Sequence, residues 1–421
     1  MLTISEKVSK WLLPQNLSNE KSYGLWNCLV AFGSDGKEIG VIEAHDGDFF
    51  PESPDDYIRA LRSVVLANEP DFHAMPVRVD VDVNQDCSDQ CYFCYSRNYA
   101  KQPLYRHAQI PASVFYSIVE QLSQLGVKTI RFTGGGEPLL HSDICTLLKL
   151  PASFNMKSCV ITNGTLLDEQ ICNIIVDHVD HLRISINAAT NKTRNVLHRP
   201  LMRKNSIDQI FDYLSYITTQ RKTRWKNQRK PLIWSTFLIV PENISEIVVC
   251  AERLRACGVD SISYRPIYHG LKRPFSESEH LEVQEQFRLV SKLHNPPFFH
   301  VFFPKRGVEF LKSIKPYKHF DFCISCLYRT IIETSNQGVV LQKCWSSRGN
   351  YNNRIGTLDS GVLFNEVWRQ FVNNQTQFDL KQKCNSCIDI SMNITLHSIL
   401  KILNKDPEAV FYKGVLTNKF F

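Results

Sequence analysis

The chain has 421 residues, enough for two or three domains and a large core. A hydrophobic share of 43% and a charged share of 22% are ordinary for a globular protein, which excludes disordered and fibrous classes. No apolar run reaches the ~18 residues of a membrane span, and a net charge of +7 admits an anionic substrate without requiring one.

The N-terminal residues Met1 to Lys7 carry an early acid and no long apolar core, so neither a secretory signal nor a transit peptide is expected. Fourteen cysteines in such a chain point to a reducing, cytoplasmic compartment and to metal ligation rather than disulfides. Leu25–Phe32 and Ile39–Ala44 read as a hairpin, with turn residues Gly33, Ser34, Asp35 and Gly36 between them. Asp55 to Ala67 reads as an amphipathic helix with Tyr57, Leu61 and Val64 or Val65 on one face. Residues 1–75 together read as a small α+β cap.

Val77-Arg-Val-Asp-Val-Asp-Val83 alternates with period two and predicts a strand. The loop after it holds Cys87-Ser-Asp-Gln-Cys91-Tyr-Phe-Cys94. Three thiolates so close together can wrap one metal centre, and an iron–sulfur cluster suits them because thiolates are its usual ligands. On a four-iron cube they would leave one iron open to a small molecule. A structural zinc ion would need a fourth ligand, and the next histidine along the chain, His107, lies beyond a polar stretch.

Strands and helices then alternate, as in a parallel sheet with crossover helices. A helix is predicted over Ala112–Leu125. Strands are predicted over Lys128–Phe132, Ser158–Thr162, His181–Ile186, Leu232–Val240 and Ser261–Tyr264. Functional groups in such architectures gather at the carboxyl ends of the strands. Gly134, Gly135, Gly136 and Glu137 follow the second strand, and Asn163 follows the third. Ser185 and Asn187 end the fourth, Asn243 follows the fifth, and Arg265 ends the sixth. The glycines, lacking Cβ atoms, let backbone groups approach a ligand; a plain tight turn is the alternative. Ser185 and Asn187 could instead cap the chain locally. Asn243 equally suits the N-cap of a helix over Ile244–Cys257. Arg265 suits either a carboxylate clamp or a surface salt bridge. The basic stretch Gln220–Lys230, with Trp225 inside it, reads as a solvated loop; nucleic-acid binding is not expected, since no matching fold signature accompanies it.

The Cys87-x3-Cys91-x2-Cys94 loop after a first strand, together with Thr133-Gly-Gly-Gly-Glu-Pro138 after a second, resembles the radical S-adenosylmethionine (SAM) superfamily. The resemblance covers about Pro76 to Ile267. It implies an α/β fold, a partial (β/α)6 TIM-like barrel over residues 76–270. It implies a [4Fe-4S] cluster on Cys87, Cys91 and Cys94, and reductive cleavage of SAM to a 5′-deoxyadenosyl radical. Phe93 would pack against adenine, and the glycine run with Glu137 would hold the methionyl ammonium. Ser185 and Asn187 would meet the ribose or the methionyl carboxylate, Asn243 would lie near adenine, and Asn163 and Arg265 would complete the cofactor side. Some peptide-modifying relatives carry a leader-peptide module at the N-terminus. Residues 1–75 are read as a cap instead, because one hairpin and one helix make a thin recognition domain.

Residues 271–320 read as a linker and a helix over Ser278–Leu293, ended by Asn295-Pro-Pro297. Residues 321–390 hold a second cysteine set: Cys323, Cys326, Cys344, Cys384 and Cys387. A hairpin over Thr330–Leu341 and a helix over Val362–Val372 lie among them. This region resembles the SPASM/twitch extension of the superfamily, which carries auxiliary iron–sulfur clusters. Five cysteines in place of seven imply the small twitch form with one auxiliary [4Fe-4S] cluster. Its ligands would be Cys326, Cys344, Cys384 and Cys387, with Cys323 competing for the first place. A zinc ribbon from the two Cys-x2-Cys pairs is the alternative. Residues 391–421 read as a C-terminal tail. Cys28, Cys145, Cys159, Cys172, Cys250 and Cys257 are expected to be mostly small buried hydrophobes.

The expected function is a cytoplasmic radical SAM enzyme that abstracts hydrogen from a small polar metabolite such as a sugar, aminocyclitol or nucleoside. A reductase such as flavodoxin or ferredoxin would supply electrons, and the auxiliary cluster would oxidise or anchor the substrate. Maturation of a ribosomally made peptide is the enzyme alternative. A zinc-stabilised binding protein is the non-catalytic one.

Overall fold

Strands form where β-branched and aromatic residues alternate, and several of the helices between them start at side-chain caps. The computed structural model describes residues 28–43, 56, 58–62, 75–201, 206–226, 230–267, 273–303, 328–344, 347–350, 354–358, 361–373 and 390–414. Cys28–Phe32 (β1) and Glu38–Glu43 (β2) pair antiparallel, as the turn between them predicts. Arg78–Asp82 (β3) leads into the cysteine loop, and Ala112–Gln124 (α1) follows. Next come Thr129–Thr133 (β4), Lys157–Thr162 (β5) and Glu169–His178 (α2). His181–Ser185 (β6), Asn191–Leu197 (α3) and Ile207–Arg224 (α4) precede Leu232–Ile239 (β7). Ile247–Ala256 (α5), Ser261–Pro266 (β8), Glu277–Ser291 (α6) and His300–Phe302 (β9) come next. Arg329–Ser335 (β10) and Gly338–Gln342 (β11) form the second expected hairpin, followed by Gly356–Thr357 (β12) and Phe364–Asn373 (α7). Ile390–Leu403 (α8) and Val410–Gly414 (β13) complete the order.

Local chemistry explains several boundaries. Asp168 accepts from the Ile171 amide and opens α2. Ser206 with Gln209, and Ser276 with Glu279, form reciprocal capping boxes at the starts of α4 and α6.

One ten-stranded sheet runs β12-β11-β10-β3-β4-β5-β6-β7-β8-β9. Its strands from β10 to β9 are parallel, and β11 and β12 are antiparallel. The six strands predicted from Val77 to Tyr264 are β3 to β8, an α/β architecture consistent with a partial TIM-like barrel. The C-terminal hairpin joins the same sheet, because β10 pairs in parallel with β3, Arg329 opposite Arg78.

The two faces of the sheet differ. Val79, Val81, Ile130, Phe132, Leu182 and Phe237 pack into one core with Phe115, Ile118 and Leu122 of α1 and Ile210 and Leu214 of α4. On the other face Arg78, Asp80, Asp82 and Arg131 are also buried. Asp80 pairs with Arg78 Nε at 2.9 Å and with Arg131. Burial pushes Asp80 up, but the two guanidinium groups prevail and hold it well below the usual carboxylate range.

A second, three-stranded sheet runs β13-β1-β2. The segment expected as a tail thus supplies a helix and a strand, and β13 pairs with β1 from Cys28 opposite Gly414 to Phe32 opposite Val410. Leu396, Ile399 and Leu403 of α8 pack with Ala31, Ile42, Ile58, Leu61 and Phe411. The same cluster contains Val77 and Tyr328, just before β3 and β10, and Trp234 near the start of β7. The small sheet and α8 therefore cover the amino ends of the barrel strands and leave the carboxyl ends to the site.

The basic stretch corrects one expectation. Its first half belongs to α4, and Arg221 is buried, with Nη1 and Nη2 on Asp260 at 2.5 and 3.0 Å. Arg224 pairs with Asp177, Lys230 pairs with Asp180, and Trp225 Nε1 donates to Val176 O. Arg221 and Arg224 hold α4 to its neighbours, and Lys230 ties the start of β7 to Asp180. Of the six remaining cysteines, Cys159, Cys172 and Cys250 are buried, and Cys145 and Cys257 are half-buried. Burial pushes the Cys172 thiol up to about 12. Cys28 lies outside the residues whose side chains are described.

Candidate cofactor site

The site is built from two turns that close on each other at the carboxyl ends of β3 and β4. Gly136 N donates to Asn84 O at 3.0 Å, and Glu137 N donates to Asp86 O at 2.7 Å. Asn84 Nδ2 returns two bonds, to Asp86 O at 2.8 Å and Glu137 O at 2.9 Å. Contact this close requires glycine. A Cβ on Gly135 would lie 1.5 Å from Gln85 Oε1, and one on Gly136 would lie 1.9 Å from Asp86 O. Gln85 cannot swing away freely, because its Nε2 donates to Thr334 O of β10 at 2.9 Å.

Cys87, Cys91 and Cys94 stand on this loop as free thiols, the first two half-buried and the third exposed. Burial pushes Cys87 and Cys91 up, and the nearby Glu137 and Asp89 charges add to it. A cation bound there would reverse that balance, since thiolates are the ligand form. The donor set is all sulfur and is backed by a glycine cradle, so these residues fit an iron–sulfur cluster. Cys87, Cys91 and Cys94 would hold it.

Glu137 is buried, and its oxygens are engaged within the chain. Oε1 accepts from Thr162 Oγ1 at 2.6 Å and Leu139 N at 3.1 Å, and Oε2 accepts from Asn163 N at 2.9 Å. Burial outweighs these bonds and pushes the carboxyl up to about 7. Asn163 in turn donates from Nδ2 to Ser88 Oγ at 2.9 Å, beside the Cys87 sulfur. Glu137 therefore ties β4, β5 and the cysteine loop into one unit.

Phe93 packs with Leu197, Val240 and Ile267 and meets the His198 ring edge-on at 5.9 Å. Ser185 is half-buried at the end of β6, in register with Thr236 of β7. Asn187 and Asn243 are buried. Asn187 Oδ1 accepts from Leu238 N at 2.7 Å. Asn243 donates to Asn187 O at 2.9 Å and Leu238 O at 2.8 Å, and its Oδ1 accepts from Val240 N. Asn243 thus braces the ends of β6 and β7. Arg265 is half-buried on β8, in register with Leu238.

The β10–β11 hairpin grips the cysteine loop from the other side. Asn336 donates to Leu104 O and Pro103 O, both at 2.7 Å. Gly349, at φ +71°, sits against Tyr99, where a Cβ would fall 2.3 Å from the ring. Cys344 is half-buried just past β11, and its amide faces Ser347 Oγ at 3.2 Å. Cys323, Cys326, Cys384 and Cys387 lie outside the described residues.

Sequence reasoning found no histidine beside the cysteine loop, and folding supplies one. The segment after α3 zips onto the loop: Gln90 N donates to His198 O at 2.8 Å and Leu201 N donates to Ser88 O at 2.8 Å. His198 Nδ1 then lies 3.4 Å from Cys91 Sγ and 3.2 Å from Asp89 Oδ2. Arg194 Nη2 reaches Thr165 Oγ1 at 2.7 Å and Asp89 at 3.4 Å. Asp89, Cys91 and His198 form the group among the described residues whose atoms could share a metal ion. Their separation in the chain hid them; the one local signal was that Asp89 lies inside the cysteine run.

Comparison with known proteins agrees with this geometry. Residues 81–263 match the model of the Radical SAM superfamily. The chain is 26% identical over 176 residues to an S-adenosylmethionine-dependent nucleotide dehydratase of Flammeovirga pacifica, covering 37% of this chain and 60% of that protein. It is 31% identical over 111 residues to a GTP 3′,8-cyclase of Chlorobaculum tepidum, covering 26% of this chain and 32% of that one. The chain thus spans less than two thirds of either relative. In fold it resembles SuiB of Streptococcus suis, solved with its precursor peptide SuiA, at a TM-score of 0.54 and 16% identity, covering 79% of this chain and 74% of that one. The family match spans the strands that carry the cysteine loop and the glycine turn, so residues 81–263 match a radical SAM domain.

Proposed function

We propose that this chain is a radical SAM enzyme acting on a small polar metabolite of the sugar, aminocyclitol or nucleoside type. The observation that carries the reading is the closure of the Gly134–Glu137 turn on the Cys87–Cys94 loop at the carboxyl ends of parallel strands. When bound there, a [4Fe-4S] cluster supplies the electron that cleaves SAM to the radical taking hydrogen from substrate. The chain's own residues bind and shield. The glycine turn offers backbone groups to the methionyl end, and Phe93 offers an apolar ring at the rim. Arg183, Thr236 and Arg265 stand on neighbouring strands, with Arg183 Nε donating to Thr236 Oγ1 at 2.8 Å. Such a wall suits an anionic or hydroxyl-rich ligand. The names of the sequence relatives, a nucleotide dehydratase and a GTP cyclase, support the nucleoside member of the class.

An auxiliary [4Fe-4S] cluster on Cys326, Cys344, Cys384 and Cys387, with Cys323 competing, belongs to the same reading. So do a flavodoxin- or ferredoxin-type electron donor and a cytoplasmic location. Support comes from Cys344, which follows the hairpin that grips the cysteine loop. Peptide maturation is a second reading, favoured by one feature. The outer edge of β2 has no strand partner among the described residues, and a sheet edge can take up an extended peptide. The test is an anaerobic assay with dithionite against panels of nucleotides, sugars and peptides. Formation of 5′-deoxyadenosine should rise with a nucleotide or sugar. A rise confined to peptides overturns the metabolite class, and no SAM cleavage from cluster-loaded protein overturns the enzyme reading.

A further inference from the structure

We propose that His198 is a positioning residue that donates its Nδ1–H to the sulfur of Cys91, with its tautomer set by Asn187, and thereby raises the reduction potential of the cluster. The proposal rests on the cluster reading above.

The hydrogen-bond chain has a direction, and the backbone sets it. The Leu238 N–H can only donate, and it reaches Asn187 Oδ1 at 2.7 Å. The Asn187 amide is therefore oriented with Nδ2 toward His198 Nε2, at 3.3 Å. An amide nitrogen is a donor only. Nε2 must accept, so it carries no proton, and the ring proton sits on Nδ1. Nδ1 faces Cys91 Sγ at 3.4 Å and Asp89 Oδ2 at 3.2 Å. The Asp89 carboxylate is shared with Arg194, whose Nη2 lies 3.4 Å from each oxygen. The Nδ1–H is thus divided between a partly neutralised carboxylate and the sulfur.

The chain is protected and braced. His198 is 3% exposed, Asn187 2% and Asp89 5%, so water does not compete for these bonds. Asn243 clamps the backbone of Asn187 and Leu238 together, and Phe93 closes over the ring. Hydrogen bonds to cluster sulfurs are among the terms that set an iron–sulfur potential. A donor stabilises the reduced, more negative state more than the oxidised one. The Asp89 N–H, 3.5 Å from Cys87 Sγ, acts in the same sense at a second ligand. His198 differs in being adjustable by substitution without altering the loop's backbone.

The experiment compares wild type with His198→Phe, His198→Gln and Asn187→Asp, each reconstituted with iron and sulfide, in redox titrations followed by electron paramagnetic resonance. At the wild-type midpoint, His198→Phe should lower the ratio of reduced to oxidised cluster about tenfold, which is 59 mV for one electron. His198→Gln, which keeps an N–H, should recover part of it. Asn187→Asp should also lower the ratio with His198 in place, because a carboxylate there calls the proton to Nε2 and turns a lone pair toward sulfur. A second readout needs no cluster. Nitrogen-15 NMR of cluster-free protein, with His198→Phe to identify the signal, should show the Nδ1–H tautomer in wild type and Nε2–H in Asn187→Asp. Equal potentials in wild type and His198→Phe at equal cluster content overturn the proposal, as does an Nε2–H tautomer in wild type. Wild-type protein that holds zinc and no iron overturns the cluster reading instead.

Discussion

The two ends of the barrel strands are finished in opposite ways. At the carboxyl ends, thiols, glycines and buried amides from short, contiguous stretches close on one another through hydrogen bonds. At the amino ends, an apolar plug joins β1 and β2 to α8 and β13 from the far end of the sequence. The first end is polar and built from turns. The second is non-local and apolar. A polar end made of turns has little redundancy, because few hydrogen bonds close it and Gly135 and Gly136 leave no room for a Cβ. An apolar plug spreads its contribution over many side chains. Damage should therefore cost chemistry at one end and stability at the other.

Replacing Cys87, Cys91 and Cys94 together by Ala is the largest break. Cleavage of SAM should fall to background and about four irons per chain should be lost, while the melting temperature of cluster-free protein stays near that of wild type. Iron analysis, 5′-deoxyadenosine and a melting curve check this. Cleavage persisting in the triple variant would sink the assignment.

Leu396→Ala sharpens the other side. Leu396 is fully buried in the plug, and a cavity there should cost about 2–5 kcal/mol. Below the melting temperature, SAM cleavage per cluster should be unchanged. Denaturant titration beside the cleavage assay separates the two effects, and lost cleavage in folded protein would erase the contrast between the ends.

Gly136→Ala tests whether the polar end tolerates any volume. The new Cβ would strike the Asp86 carbonyl, a backbone group that cannot rotate away. Overpacking of this kind costs about 1–3 kcal/mol. The loss should appear in SAM affinity as well as in stability, because Glu137 N to Asp86 O must lengthen. Isothermal titration with SAM reads it; unchanged affinity would show that the turn can shift as a body.

The last effect, confined to a pH window, is a stability slope at Glu137. Its folded carboxyl is pushed up to about 7 from 4.5 by burial. The folded state thus holds the proton longer than the unfolded chain. The contribution is fully present below about pH 4.5 and is lost as pH rises through about 7. Cluster-free wild type should lose stability over that window relative to Glu137→Gln, by a few kcal/mol at most. Parallel curves for the two proteins in pH-stepped melts would place the titration elsewhere.

Six strands, the helix that follows the cysteine loop and the cysteine loop itself were legible because each carries its own local signal. Lys128–Phe132 became Thr129–Thr133, and Leu232–Val240 became Leu232–Ile239. The alternation of Val77–Val83 identified a strand but not the meaning of its polar face. Arg78, Asp80 and Asp82 face neighbouring charges rather than water, since the sheet buries both sides. The basic run was misread for a related reason. Charge along a chain does not reveal that Arg221 will meet Asp260 inside the fold.

By itself, the sequence determined what neighbouring residues can settle: the strand and helix periods, and three thiols on one loop beside a glycine turn. Those depend on spacing and on backbone geometry within a few residues. Tertiary structure alone decided that β10 would lie beside β3, that β13 would close on β1, and that His198 would meet Cys91. These contacts join segments separated by about a hundred residues or more. Packing selects among many partners at such distances, and no local propensity names the one chosen.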